Sequence, residues 1–289
     1  MRALLLVAAG LWGALWGSFF NVAITRFPWK EESVVRPASH CRSCQAPIAW
    51  YDNLPVLSWV ILRGRCRRCK APFSWTYPAL EAASAGLMVA LMHQAAPSGA
   101  ALLAQPAATT LWQIAPALLR FVLAGALIVA GMIDLRTQLL PDVVTLPGIA
   151  AGLAASWWTG VPGLGGAALG AAVGAAIPLA LHYGWKAVRG FEGMGLGDAK
   201  LLALVGAWLG WPAVVWALFA GSVQGIAGWM LARPRLEEAS SEAEKARPRT
   251  QVPVPFGPFL ALATLEWLLV GDRIWAWVAR FVERGAPTL

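Results

Sequence analysis

Two short segments of the sequence carry the residue types of an acid–base site. The first, residues 134–142, contains Asp134 and Asp142, and the second, the GMGLGDAK segment of residues 193–200, contains Asp198. The glycines Gly195 and Gly197 allow tight turns before Asp198. An apolar run follows, which places this carboxylate at or near a helix N-terminus, where negative charge is favoured. Asp198 alone could be a helix cap, but the first acidic segment indicates a shared site.

Paired aspartates predict the chemistry of an aspartic peptidase. Carboxyls a few ångströms apart share one proton, because neighbouring like charges cannot both stay ionised. One then acts as general base on water, while the protonated one polarises the scissile carbonyl. As the partner of Asp198, both Asp134 and Asp142 are candidates. Asp134 ends an apolar helix and is better fixed, whereas Asp142 follows a proline in a loop. No Ser–His or Cys–His arrangement competes, since the three histidines are scattered: His40, His93 and His182.

All four cysteines of the chain form two CxxC pairs with 21 residues between them: Cys41, Cys44, Cys66 and Cys69. Two such pairs predict a closed tetrahedral zinc site of four thiolates, which is structural because no coordination position stays open for water. Redox-active thiols are the alternative. A redox CxxC is typically a single pair near a βαβ pattern, and no such pattern is visible in the sequence.

The composition is that of a polytopic membrane protein. Hydrophobic residues make up 58% of the chain and charged residues only 13%, with a mean hydropathy of +0.59, whereas soluble domains carry about a quarter charged residues. We therefore predict an all-α fold of about eight transmembrane helices. The apolar runs are Ala3–Ile24, Ala79–Met92, Leu111–Ile133, Val143–Trp158, Leu164–Tyr183, Leu201–Leu209, Val214–Leu231 and Phe256–Val270.

The charge distribution predicts the topology. Segment 26–77 holds nine Lys or Arg against three acids, segment 232–255 is also basic, and the linker 97–110 has no charge. The positive-inside rule puts the basic segments in the cytoplasm and the linker 97–110 outside, so both acidic segments meet on the cytoplasmic side. Because cytoplasmic loops are basic for this reason, the net charge of +8 does not indicate nucleic-acid binding.

This pattern divides the chain into a first transmembrane helix (1–25), a cytoplasmic zinc-ribbon-like four-Cys module (26–77) and a multi-helix membrane core (78–289) that includes the mobile loop 232–255. Small and polar residues within the apolar runs predict helix contacts. Ser18 and Asn21 share a helix face, and glycines at mostly four-residue spacing favour close helix packing. These are Gly163, Gly166, Gly170 and Gly174. Glu81 is an acid near a membrane edge that either reaches water or is functional.

Several motifs, in order along nearly the whole chain, resemble the type IV prepilin peptidases. They are GSFFNVAITRFP, the two-CxxC segment 39–69, YPALE, IDLRTQLLPD, GMGLGDAKLLALVGAWLG and PFGPFLALA. The resemblance implies a multi-pass enzyme of the bacterial inner membrane that cleaves the leader of type IV prepilins or type II secretion pseudopilins on the cytoplasmic side. It would then methylate the new N-terminus with S-adenosyl-L-methionine.

The resemblance also implies residue roles. Asp134 and Asp198 carry over as the catalytic pair, with Asp142, Gly195, Gly197 and Lys200 in support. The four cysteines carry over as the zinc ligands of the methylation half. Thr76 departs from the pattern, where a basic residue is expected before Tyr-Pro. No glycine fingerprint of a βαβ nucleotide site is present, so methylation rests on the resemblance alone.

Two other classes of function fit parts of the pattern. A transporter could use the three aspartates as a proton relay, but the acids of carriers tend to lie near the bilayer midplane and these lie at predicted helix ends. A non-enzymatic scaffold could dock a partner through the four-Cys module, which leaves the acids without a purpose.

Overall fold

The computed structural model describes residues 1–27, 33–190, 193–239 and 255–285. Within these ranges the chain forms ten α-helices, and β-structure is limited to two isolated bridges. The helices are α1 (Arg2–Arg26), α2 (Leu57–Ile61), α3 (Thr76–Ala95), α4 (Gly99–Ala104), α5 (Ala107–Thr137), α6 (Asp142–Thr159), α7 (Leu164–Arg189), α8 (Leu196–Leu209), α9 (Trp211–Ala239) and α10 (Gly257–Gly285).

Each apolar run of the sequence lies within a separate long helix. The one exception is Phe256, the first residue of the last run, which directly precedes α10. Among the described residues, four helical segments are long and apolar enough to cross a membrane: α1, α5, α7 and Trp211–Leu231 of α9. The all-α membrane fold is therefore confirmed. α8 has 14 residues and a length of about 21 Å, which is less than the about 30 Å of a hydrocarbon core.

The first compact unit is Met1–Val129. In it α1 packs against α3 at glycines, because a Cβ at Gly13 would lie 2.6 Å from the Ser84 carbonyl oxygen. Asn21 Nδ2 donates to the Tyr77 carbonyl at 3.2 Å. The Ser18 hydroxyl hydrogen-bonds Glu81. The predicted polar contacts between helices are thus confirmed, and the four-Cys module lies between α1 and α3 in sequence.

The second compact unit is Ala130–Leu289, and α8 is at its centre. Residues 198–207 of α8 are all buried except Lys200, and α6, α7, α9 and α10 contact this helix. The predicted close packing of α7 holds at Gly170 and Gly174. A Cβ at either glycine would come within 2.3 Å of a carbonyl oxygen of α8. Gly163 instead precedes α7 with φ +83, and Gly166 faces Pro162.

Two predicted loops are wrong in part. Segment 97–110 contains α4 and the start of α5, because its Ala- and Leu-rich sequence favours helix and the Ser98 hydroxyl caps α4 by accepting from the Ala101 N–H at 3.2 Å. The predicted mobile loop 232–255 begins as helix, since α9 continues to Ala239 and residues 232–239, apart from Pro234, are the strong helix formers Ala, Arg, Leu and Glu. Its remainder up to residue 254 lies outside the described residues.

Candidate active site and metal centre

Asp198 lies in the first turn of α8 and is only 7% exposed. Its Oδ2 accepts a hydrogen bond from the Gly195 N–H at 3.3 Å. Gly197, the residue before it, is in close contact with another chain segment, because a Cβ at this position would lie 3.0 Å from the Leu140 Cβ. In the GxGD motif, the first glycine thus donates an N–H to the carboxylate, and the second allows Leu140 to pack closely beside it.

The segment before Asp198 is held by α7. A ring nitrogen of His182, itself buried, is 2.7 Å from the Met194 carbonyl oxygen. The backbone at Gly193 packs on the Trp185 ring, since a Cβ there would lie 2.8 Å from that side chain. α7 therefore fixes the approach of the chain to the N-terminus of α8.

Asp134 lies in the last turn of α5 and is 6% exposed. Its Oδ2 accepts a hydrogen bond from the Gly257 N–H, the first residue of α10, at 3.1 Å. A Cβ at Gly257 would lie 2.7 Å from the same oxygen, so a larger residue at this position would displace the carboxyl or the backbone.

Asp134 and Asp198 both lie in the second unit, and the segments that hold them contact the same side chain. Leu140 connects them, because its side chain lies 3.0 Å from the Cβ position of Gly197 and 3.4 Å from that of Gly257. The two carboxyls also act on each other as like charges. A pair of buried carboxyls, each with one peptide N–H donor, can share a proton and activate water.

Asp142 is placed differently. It is the first residue of α6, its side chain is 56% exposed, and its Oδ1 accepts a hydrogen bond from Lys200 Nζ at 2.5 Å. The supporting residues Asp142 and Lys200 thus form an exposed ion pair that links α6 to α8. Such a pair has little influence on buried charge, because solvent screens it.

Two residues of the candidate site, Gly257 and Leu140, were not predicted from the sequence. The PFGPF segment (residues 255–259) directly before an apolar run signals a helix start, because Pro and Gly break the preceding chain. Nothing in that signal shows which side chain the Gly257 N–H would contact.

The four cysteines come together in the first unit. Their sulfur atoms all lie within 4.8 Å of one another, and the Cys41 and Cys69 sulfurs are 3.7 Å apart. Sulfurs bound at about 2.3 Å to a tetrahedral zinc ion lie about 3.8 Å from one another. All four are free thiols, and the pKa of Cys41 is lowered to about 6 by the backbone N–H groups of Cys44 and Ser43. The donor set therefore fits a four-thiolate metal site.

The two CxxC pairs have the same backbone geometry. In the first, the Gln45 N–H donates to the Cys41 carbonyl at 2.8 Å and Gln45 has φ 57. In the second, the Lys70 N–H donates to the Cys66 carbonyl at 3.1 Å and Lys70 has φ 59. The sequences CRSCQAP (residues 41–47) and CRRCKAP (residues 66–72) show this repeat directly, so the signal was available before the structure.

The bidentate pair of Arg67 and Asp52 stabilises the second of these turns. Arg67 Nε and Nη2 donate to the two Asp52 carboxylate oxygens at 2.7 and 2.6 Å, and the guanidinium lies over the Tyr51 ring. The Arg67 hydrogen bonds hold the pKa of Asp52 below its usual range.

Known protein families match both the segment with the four cysteines and the segment with the two aspartates. Residues 11–95, which include the four cysteines, match the bacterial peptidase A24 N-terminal domain. Residues 121–230, which include Asp134 and Asp198, match the type IV leader peptidase family. A protein from Aeromonas hydrophila, called prepilin leader peptidase/N-methyltransferase, is 36% identical over 293 residues, covering 92% of this chain and 91% of the relative.

The chain belongs to the type IV leader peptidase family. Two further relatives carry the same name, prepilin leader peptidase/N-methyltransferase. The protein from Pseudomonas putida is 34% identical over 95% of this chain and 93% of its own length. The protein from Burkholderia pseudomallei (strain K96243) is 34% identical over 90% of this chain and 83% of its own length. No solved structure matches the chain at a significant level. As a type IV leader peptidase family member, the chain matches its relatives across both the four-Cys module and the aspartate site.

Proposed function

We propose that this protein cleaves the leader peptide of type IV prepilins and type II secretion pseudopilins, and then N-methylates the new N-terminal residue. The relatives' shared name and the family match support both activities. The observation that carries the peptidase assignment is the pair of buried carboxyls of Asp134 and Asp198 at two helix ends.

The dyad chemistry follows from the shared proton. The ionised carboxylate takes a proton from water, whose oxygen attacks the scissile carbonyl carbon, while the protonated carboxyl donates a hydrogen bond to the carbonyl oxygen. The tetrahedral intermediate collapses when the leaving nitrogen receives a proton and the C–N bond breaks. The Gly195 and Gly257 N–H groups orient the two carboxyls throughout.

Burial favours Asp134 over Asp142 as the partner of Asp198. A general base needs a fixed position and a water-poor environment to act on a single bound water. Asp134 has both features, whereas Asp142 is exposed and paired with Lys200. Asp142 and Lys200 are assigned to positioning α6 against α8.

The proposed location is the bacterial inner membrane, with the dyad on the cytoplasmic side and lipid around the long helices. Four described helical segments that could cross a membrane support the multi-pass assignment. The excess of Lys and Arg in segment 26–77 supports the cytoplasmic side, because basic loops stay inside.

Leader cleavage by purified protein in detergent tests the dyad. A type IV prepilin is incubated with wild type, Asp134→Asn, Asp198→Asn or Asp142→Asn, and the loss of the leader is followed by mass spectrometry. We expect Asp134→Asn and Asp198→Asn each to lower kcat/KM by at least about 10⁴-fold, because the single carboxyl that remains cannot act as general base and proton donor at the same time. Asp142→Asn should stay within about tenfold of wild type, because an exposed ion pair contributes little.

Asp272→Asn is the matched control, since Asp272 is an exposed acid of α10. An inactive Asp142→Asn beside an active Asp134→Asn would show that Asp142 is the partner. A wild type that cleaves no prepilin but moves protons in proteoliposomes would favour the transporter reading instead.

We further propose that the ion held by the four cysteines is zinc, in a structural role. The sulfur geometry and the set of four free thiols support this assignment. Elemental analysis of the purified protein should give about one zinc per chain. Cys41→Ser should lose most of it, because three thiolates hold the ion less tightly. Ser43→Ala, between two ligands, should keep the zinc, and retention by Cys41→Ser would argue against a site of four thiolates.

A further inference from the structure

A cavity of about 510 Å³ lies in the first unit, enclosed by α1, α3 and the four-Cys module. Small-molecule sites have volumes of about 300–1,000 Å³. None of the four cysteines lines the cavity, although their neighbours Arg42 and Arg65 do. The cavity is therefore adjacent to the metal centre and separate from it.

The helix side of the cavity carries a buried acid. Glu81 of α3 is 8% exposed and lines the cavity, and its Oε2 accepts a hydrogen bond from the Val56 N–H at 2.7 Å. Asn21 of α1 lies on the same side. The Ser18 hydroxyl also hydrogen-bonds this carboxyl, so Glu81 is held in place at the wall, where an ionised carboxylate attracts a positively charged ligand.

The module side of the cavity offers different groups. Trp59 and Phe73 contribute aromatic surface, and the Trp59 Nε1 donates to the Phe73 carbonyl at 3.4 Å. Arg42 and Arg65 are exposed at this side. The cavity lining thus includes two acids (Glu81 and Asp52), three aromatic side chains (Trp59, Phe73 and Tyr77) and three guanidinium groups (Arg26, Arg42 and Arg65).

We infer that this cavity binds S-adenosyl-L-methionine, the methyl donor of the proposed N-methylation, on which the inference rests. The donor has a sulfonium and an ammonium that suit Glu81. Its carboxylate suits guanidinium donors, and its adenine suits aromatic surface. The first unit therefore has a ligand site of its own, which shares no residue with the aspartate dyad of the second unit.

The charge change in methyl transfer gives Glu81 a specific role. The free N-terminal amine of the cleaved substrate attacks the methyl carbon and forms an N–C bond. The C–S bond breaks with its electron pair returning to sulfur, and the amine proton leaves to water. The sulfonium thereby becomes the neutral thioether of S-adenosylhomocysteine. A carboxylate at the cavity wall holds the cationic donor more tightly than this product.

The test compares the Kd values of the donor and the product by isothermal titration calorimetry in detergent. Glu81→Gln keeps an oxygen that can accept from the Val56 N–H and removes the charge. We expect wild type to prefer S-adenosyl-L-methionine over S-adenosylhomocysteine, and Glu81→Gln to lower this preference by about tenfold, because a nearby opposite charge is lost. If Glu81 had only a structural role, Glu81→Gln would weaken the binding of both ligands equally and leave the ratio of their Kd values unchanged. That result would overturn the inference.

Glu266→Gln is the matched control. Glu266 of α10 is a half-buried helix acid that accepts a hydrogen bond from Gln224 Nε2 at 2.9 Å, and it lies outside the cavity. This variant should leave the ratio of the two Kd values unchanged. Leader cleavage by Glu81→Gln shows whether that variant is folded.

Photo-crosslinking of wild type with radiolabelled S-adenosyl-L-methionine maps the site without any variant. Label on peptides within residues 39–81 supports binding in the cavity. Label found only on peptides of the second unit overturns the proposal. The dyad is tested separately by leader cleavage. Wild type that cleaves the leader but binds no S-adenosyl-L-methionine refutes this inference and leaves the peptidase proposal standing.

Discussion

At the scale of single residues, the close contact between the Asp134 carboxyl and the backbone of Gly257 limits where this carboxyl can lie. The Gly257 nitrogen is 3.1 Å from Asp134 Oδ2, and a β-carbon at Gly257 would lie only 2.7 Å from that oxygen. Any side chain at this position must displace the carboxyl or the start of α10. Because dyad chemistry depends on the separation of the two carboxyls, a small displacement has a large effect on rate.

Gly257→Ala should therefore lower kcat/KM for leader cleavage by about 100-fold while the protein still folds. The control is Gly86→Ala in α3, where a Cβ meets nothing within 4 Å. That variant should retain full activity and gain up to about 1 kcal/mol of stability, because alanine favours helix more than glycine does. Unchanged cleavage by Gly257→Ala would show that the Asp134 position is not critical.

Residue-scale prediction from the sequence succeeds where the signal is local. The cysteine spacing predicts a cluster that the structure confirms, because each CxxC pair forms its turn from adjacent residues. The choice between Asp134 and Asp142 is not local. It depends on the pairing of Asp142 with Lys200, 58 residues away in sequence, and on the Gly257 N–H, 123 residues from Asp134.

At the scale of elements, the packing of α7 on α8 positions Asp198. A Cβ at Gly174 would lie 2.2 Å from the Leu202 carbonyl oxygen, and one at Gly206 would lie 2.0 Å from the Gly170 carbonyl oxygen. The two backbones are thus in direct contact. Close approach of this kind lets van der Waals attraction stabilise helix pairs in lipid, where the hydrophobic effect does not distinguish them.

Gly174→Ala should force α7 and α8 apart and lower the stability of the protein by roughly 1–3 kcal/mol, measured as a lower unfolding temperature in detergent. The comparison is Gly184→Ala, also in α7, where a Cβ meets nothing within 4 Å. Equal unfolding temperatures for the two variants would contradict the close α7–α8 contact.

Element-scale prediction succeeds for the existence of the helices and fails for their ends. Long apolar runs allow little besides helix, because every backbone polar group in lipid must be satisfied within its own segment. Helix ends depend on propensity beyond the apolar run. Residues 232–239 of α9, apart from Pro234, and most of α4 follow that propensity, and neither segment belongs to an apolar run of spanning length.

At the scale of the whole molecule, the topology decides which compartment supplies the substrate. The charge asymmetry predicts that segment 97–110 lies outside and that the chain before Asp198 lies inside. Both statements concern the sidedness of a chain in a bilayer, so they need a measurement in cells.

Reporter fusions in a bacterial inner membrane test this arrangement. Alkaline phosphatase, which is active only outside the cytoplasm, should be active when fused after Gln105. Green fluorescent protein, which fluoresces when it folds in the cytoplasm, should be bright when fused after Gly190, at the end of α7. Exchanging the two reporters supplies the matched controls, in which neither signal should appear. The reverse pattern would place the aspartates outside.

The donors that hold both carboxyls are peptide N–H groups, of Gly195 and Gly257, and this feature affects how the family can evolve. Every residue except proline provides such a donor, so a change of side chain can weaken these hydrogen bonds only by displacing the backbone or the carboxyl, as at Gly257. Selection then acts on the two acids and on the room for the backbone around them. Positions of the surrounding helices where the backbones are not in close contact can therefore vary, and the relatives named above are only 34–36% identical to this chain.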